Sequence, residues 1–242
     1  MPAPLPIPEV FVEPLVLSWA GGLLLLQIVL QTLFSFSSST AVAKNAGSVA
    51  HQLCVSIPFA YAAYVGVNLL FFDEKIIAMA ASGTYADRLY GFHPKCWEMT
   101  RFFVGFQLFD LVVTALVPAL RGADHVAHHT LSLLTACSGC SGPLLLWYCP
   151  FFFGVVEVSS VPLGWVDLFR TVPPAKGTLL SAVNEVVRIA FAVSFLPIRC
   201  GMFPVRARAT EREQLGPART RMPRHLVPSC STHPTLVYTC NG

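Results

Sequence analysis

The segment ADHVAHHTLSLL, Ala123 to Leu134, sets three histidines and an aspartate at the head of one of the most apolar stretches of the chain. Imidazole exchanges protons near neutral pH and ligates metals, so a cluster of this kind offers acid–base chemistry, headgroup binding or coordination. His125 and His129 are four residues apart and share one face of a helix. Asp110 lies in the middle of the preceding apolar run and Glu157 in the middle of a following one. An ionisable side chain inside a bilayer costs several kcal/mol unless it faces protein or water, so such residues mark functional sites by default. The short turn RGAD joins the Asp110 helix to the histidine helix, which makes the two antiparallel neighbours sharing a polar chamber. His128 and His129 are expected to face that chamber, within reach of Asp110 or Asp124.

His125, His128 and His129 also spell H-x-x-H-H, the spacing of one histidine box of the membrane di-iron desaturases and hydroxylases. Those need about eight histidines in three boxes. This chain has seven in all, and His51, His93, His225 and His233 stand apart from one another. A single metal on His125 and His129, completed by Asp110 or Asp124, is the smaller alternative; no metal and no cofactor are expected. The structural alternative is that the histidines sit at the membrane interface or merely satisfy Asp110.

The elements that must hold these residues are membrane helices. Hydrophobic residues make up 54% of the chain and charged ones 12%, with a mean hydropathy of +0.61, which excludes an ordinary water-soluble globule. A hydrocarbon core about 30 Å thick needs about 20 apolar helical residues. Leu15–Phe34, Leu53–Phe72 and Phe102–Leu120 meet that length. The uncharged Thr130–Val156 run, extending past Glu157 to Trp165, is long enough for two spans with a hairpin at Cys137–Pro143. Leu179–Phe203 carries Glu185 and Arg188, three apart and able to neutralise each other. The expectation is an all-α, multi-pass bundle of about six spans around a lipid-accessible cavity: an N-terminal segment 1–14, a membrane domain 15–203 and a basic tail 204–242. Residues 1–203 hold ten Lys/Arg against eleven Asp/Glu, and the tail six Arg against two Glu. Together with the loop expected at 73–101, which holds four Lys/Arg, this places both termini on the cytoplasmic side. The eight cysteines show no zinc-site pattern, and no nucleotide-binding, hydrolase or nucleic-acid-binding motif is present.

In order along the chain, YADRLYGFHP, the aspartate span FFVGFQLFDLVV, the paired histidines of DHVAHHTLSLL, the segment FFFGVVEVSSVPLGWVDLFR and the helix NEVVRIAFAVSFLPIRCGMF resemble the TLC-domain membrane proteins. That family includes ceramide synthases, the translocation-associated membrane protein and smaller members of lipid homeostasis. The resemblance implies an endoplasmic-reticulum or related endomembrane protein. His128, His129 and Asp110 become candidate catalytic residues, and His125, Asp124, Glu157, Ser159, Asn184 and Arg199 candidate lipid contacts. Ceramide synthases follow the histidine pair with a charged segment, whereas LSLLTACSGCSGPLLLWYC carries no charge. The family's further helix after the arginine also has no counterpart in the Arg-rich tail, which reads as a truncated or alternative end.

Three functions are compatible with these residues. The first is lipid homeostasis through a lipid bound or sensed in the membrane. The second is ceramide-synthase-like N-acyl transfer from acyl-CoA, and the third is lipid transport. The expected partner is a membrane lipid, a sphingolipid or acyl-CoA among the options, with no role for nucleic acid.

Overall fold

The computed structural model describes residues 6–82, 84–142 and 145–202, which fold as helices with no strand among them. The expected basic tail 204–242 lies outside the described residues. Helix α1, Pro14–Ser35, starts on Glu13, whose carboxylate accepts the backbone N–H groups of Leu15 and Val16 and also pairs with Arg101. Helix α2 runs from Ala46 to Phe72 with Pro58 inside it, and two short helices follow, α3 at Glu74–Ser82 and α4 at Tyr85–Tyr90. Helix α5, Pro94–Leu116, returns across the bundle, and α6, Ala123–Ser141, packs beside it after a short turn. A broken segment of 3-10 and α turns, 146–158, leads to α7, Ser160–Thr171. Helix α8, Leu179–Phe195, ends in a π-helical turn at Leu196–Met202.

Five of these stretches are long and apolar enough to cross a membrane: Pro14–Ser35, Ala46–Phe72, Pro94–Leu116, Leu146–Thr171 and Leu179–Met202. Helix α6 is the sixth long helix. Its 19 residues cover about 28 Å, but its polar residues keep it out of that set. About six spans is therefore a fair description of an all-α membrane bundle.

Helix α5 is the centre. Phe102, Phe103, Phe106 and Phe109 are all buried on it, and the Phe102 ring meets Trp19 of α1 at 4.6 Å and Tyr61 of α2 at 4.7 Å. Such edge-to-face contacts fix helix register as well as burying area. Helix α8 is the opposite case, with no buried residue, and its Leu180, Val186, Ile189 and Val193 lie on the outside, as suits a helix facing lipid.

Two sequence expectations need correction. The hairpin expected at Cys137–Pro143 does not occur over its described residues: α6 continues through Ser141, and Leu145 is in the left-handed region at φ 63°. Cys137, Gly139 and Cys140 are small because they pack within the bundle, not because they turn. The stretch 73–101 is not an open loop either, since it contains α3, α4 and the first turns of α5. Asp73 starts α3 by accepting the N–H groups of Lys75 at 3.1 Å and Ile76 at 3.2 Å, with His93 Nε2 3.3 Å away.

Two predictions follow from this packing. Gly66 of α2 meets the broken segment backbone to backbone: a Cβ there would lie 2.4 Å from Gly154 Cα and 2.6 Å from the Pro150 carbonyl oxygen. Gly66→Ala is expected to cost about 1–3 kcal/mol. Gly21→Ala, with nothing within 4 Å of the new methyl group, is expected to be neutral or stabilising by about 0.5–1 kcal/mol. Unfolding of the two variants in mixed detergent compares them directly. At Asp73, burial pushes the carboxyl pKa up, but the two backbone donors and His93 outweigh it and hold it below the ordinary carboxylate value. A depressed pKa means the cap's contribution is complete above about pH 4 and is lost as pH falls through the lowered value. Amide-exchange protection of α3 should follow that course, and Asp73→Ala should remove it at every pH, at about 0.5–2 kcal/mol.

Candidate functional site

Asp110 is 1% exposed, in the C-terminal half of α5. Its carboxylate is reached from two other helices. From α2, His51 Nε2 stands 2.7 Å from Oδ1; from α6, His129 Nδ1 and His125 Nε2 stand 3.0 Å and 3.2 Å from Oδ2. Gln107, nearly one turn earlier on α5, places its Oε1 2.8 Å from the same His129 Nδ1. That nitrogen faces two oxygen acceptors, so in the neutral ring it carries the proton, and the lone pair is left on Nε2. The His125 and His129 rings lie 4.1 Å apart, and His128 meets His129 nearly at right angles at 5.1 Å. His129 is buried, His125 partly exposed and His128 exposed, so the cluster grades from a closed interior to an open edge.

A second polar cluster is built by the broken segment and the end of α8. Arg199 donates from Nε to Ser159 Oγ at 3.0 Å and from Nη2 to Ser160 Oγ at 2.8 Å, with Glu157 Oε2 4.0 Å away. Burying Glu157 depends on that guanidinium, since an unpaired carboxylate there would be costly. The clusters are within Coulombic reach of each other, Arg199 of His128 and His129 of Glu157.

The structure therefore brings Asp110, His125 and His129 together, sets His128 beside them, and gathers Glu157, Ser159 and Arg199 as a neighbouring group. Asp124 is exposed on the first turn of α6 and makes no hydrogen bond to Asp110 or the histidines, and Asn184, half-buried on α8, makes none to either cluster. His51, Gln107 and Ser160 belong to the site and were not nominated by the sequence. The signal for His51 was present: like Asp110, it is an ionisable residue inside a span, but a span begun at Leu53 leaves it outside, whereas α2 begins at Ala46.

Among the described residues a cavity of about 410 Å³ opens between α2 and α5 against Tyr61, Tyr64, Asn68, Asp73, Lys95 and Glu98. It lies toward the opposite end of α5 from Asp110, so the histidine cluster is not part of it.

Residues 49–241, well over half of the chain, match the family model of the TLC domain found in TRAM, LAG1 and CLN8 proteins. The chain belongs to the TLC-domain family. No curated protein and no solved structure matches it significantly. The match to the TLC domain begins just ahead of His51 and takes in every residue of both clusters, while α1 precedes it. This is an integral membrane protein of a lipid-related family.

The geometry separates the roles of His51 and His128 in stability. His51→Ala leaves Asp110 Oδ1 buried without its donor and is expected to cost about 1–3 kcal/mol, most of which Asp110→Asn should restore in the double variant. His128→Ala, at an exposed ring, should fall within about 0.5 kcal/mol of the parent. Thermal aggregation midpoints of the four proteins in one detergent measure both effects.

Proposed function

We propose that this TLC-domain protein binds a membrane lipid by its polar headgroup at His125, His128 and His129, and that it acts in membrane lipid homeostasis in the endoplasmic reticulum or a related endomembrane. The observation that carries this reading is the orientation of His129. Gln107 Oε1 accepts from its Nδ1–H, with Asp110 Oδ2 3.0 Å away, so the free Nε2 is an oriented acceptor beside the exposed ring of His128. A lipid hydroxyl or ammonium group supplies the matching donor. Arg199, held on Ser159 and Ser160, contributes the positive charge that suits a phosphate or carbonyl oxygen. The helix ends that carry the histidines lie near one face of the bilayer, where a headgroup sits. With the termini cytoplasmic, that face is the lumenal one.

N-acyl transfer from acyl-CoA to an amine is the second reading, and the same pair supports it. An Nδ1–H held by Gln107 beside a carboxylate, with a free Nε2, is a general-base arrangement that can take the amine proton as the amide bond forms and the thioester bond breaks, the CoA thiolate then taking that proton from the imidazolium as it leaves. The charge-free continuation of α6 and the absence of any charged residue between Thr130 and Val156 weigh against it.

Expression of His128→Ala, His128→Ala/His129→Ala and the latter with Asp110→Asn in cells, with lipid profile and protein abundance measured together, tests the site. The single variant is expected to lose the effect on lipid composition at unchanged abundance. The double variant should also lose abundance, because Asp110 loses a partner, and Asp110→Asn should restore abundance alone. Recovery of both quantities in the triple variant would show that the histidines serve only to satisfy Asp110. Amine-dependent acyl transfer by purified protein would establish the second reading instead.

A further inference from the structure

We propose that Asp110, His125 and His129 form a three-ligand site for one divalent transition-metal ion of the zinc class, with His51 orienting the carboxylate from outside. Two imidazoles and a carboxylate are a donor set for zinc and its neighbours rather than for calcium or magnesium, which take oxygen alone. One ligand atom from each residue lies within 4.8 Å of the other two. Around a tetrahedral ion with bonds of about 2.0–2.1 Å, neighbouring ligand atoms are about 3.3 Å apart. Asp110 Oδ2 is 3.2 Å from His125 Nε2 and 3.0 Å from His129 Nδ1.

Direction separates this arrangement from a hydrogen-bonded one. At those distances Asp110 Oδ2 should accept from both rings, yet Oδ2 and His125 Nε2 are both buried atoms without a hydrogen bond. The nitrogen of His125 is near the oxygen without being aimed at it. Atoms that share a centre are placed in this way, and an ion at the centre would satisfy both orphans. The other carboxylate oxygen is already engaged, because His51 Nε2 donates to Oδ1 at 2.7 Å, the outer-sphere bond that fixes a ligating carboxylate. Loading requires the other tautomer of His129, its proton moved from Nδ1 to Nε2, so in the loaded site Nε2 donates to a ligand oxygen where in the metal-free site it accepts, and Gln107 either offers its Oε1 to the ion or swings aside. The fourth position is left to water or a ligand oxygen, and His125 is the most exposed of the three ligands, its side chain 32% accessible. A site of three protein ligands with one open position is the form that polarises a bound water or a ligand oxygen. The inference does not rest on the lipid reading, because ion content is measured without lipid or activity.

The test uses the full chain purified in detergent through a tag without histidine, stripped with chelator, and titrated with Zn²⁺ and then Co²⁺. About one ion per chain is expected, with the intense visible absorption of tetrahedral Co²⁺. His125→Gln, at unchanged helical content by circular dichroism, should abolish the absorption. His51→Ala should weaken affinity about 10–100-fold, and His128→Ala should leave it as in the parent. Should His125→Gln not fold, Asp110→Asn takes its place with the same expectation. Failure of the parent to take up either ion, or uptake by His125→Gln equal to that of the parent, would overturn the proposal.

Discussion

A single carboxylate governs this bundle. Asp110 sits on the central helix at 1% exposure, in a medium where an ionised group without partners costs many kcal/mol and even a satisfied one must be held in good geometry. Its partners come from α2, 59 residues away along the chain, and from α6, 15 and 19 residues away, so the requirement is not local. Satisfying Asp110 means that α2 and α6 flank α5 at one depth and in one rotation. Sliding either helix by a residue moves its histidines about 1.5 Å along the axis and about 100° around it. Lipid offers no such discrimination between registers, because apolar faces slide past one another at little cost.

The phenylalanines and glycines do the complementary work. Phe102, Phe103, Phe106 and Phe109 fill the space between α5 and its neighbours, while Gly66 and Gly154 bring α2 and the broken segment to backbone contact. That contact bears on Glu157, three residues on. With Gly154 pressed against α2, the following 3-10 turn turns Glu157 inward, and Ser159 and Ser160 stand where Arg199 can reach them. In a regular helix Ser160 would stand about 60° from Glu157 but Ser159 about 160° from it. In the broken segment both serines accept from Arg199.

Much of this was legible in the sequence, and the parts that were not share a cause. Length and charge located four of the spans with their ends within about eight residues, and the cost of an acid in hydrocarbon singled out Asp110 and Glu157 before any geometry was known. The family resemblance fixed the order of the site residues along the chain. His51 was lost because a span of 20 residues ending at Phe72 starts at Leu53, although the run without Lys, Arg, Asp or Glu reaches back to Asn45 and that end is buried. The small residues of CSGCS read as a turn because Gly and Ser punctuate soluble helices, whereas inside a membrane they are packing residues. Asp124 is adjacent in sequence to the cluster but points out of it from the first turn of α6. No spacing rule distinguishes it from Asp110; only the depth of the helix end does.

The same reasoning explains why α6 falls short of the apolar character of the other five long helices. A mean over a window counts polar residues equally on every face, but His125 and His129 lie on the face turned to α5, and their polarity is spent on Asp110 rather than on lipid. Taken alone, α5 carries an acid that disfavours insertion and α6 carries imidazoles that do the same. Taken together, each removes much of the other's cost, so the pair is a better membrane element than either member. Stability and chemistry then reside in the same side chains. A substitution in one helix exposes the uncompensated charge of the other, and only a compensated pair of changes can tell a lost function from a lost fold.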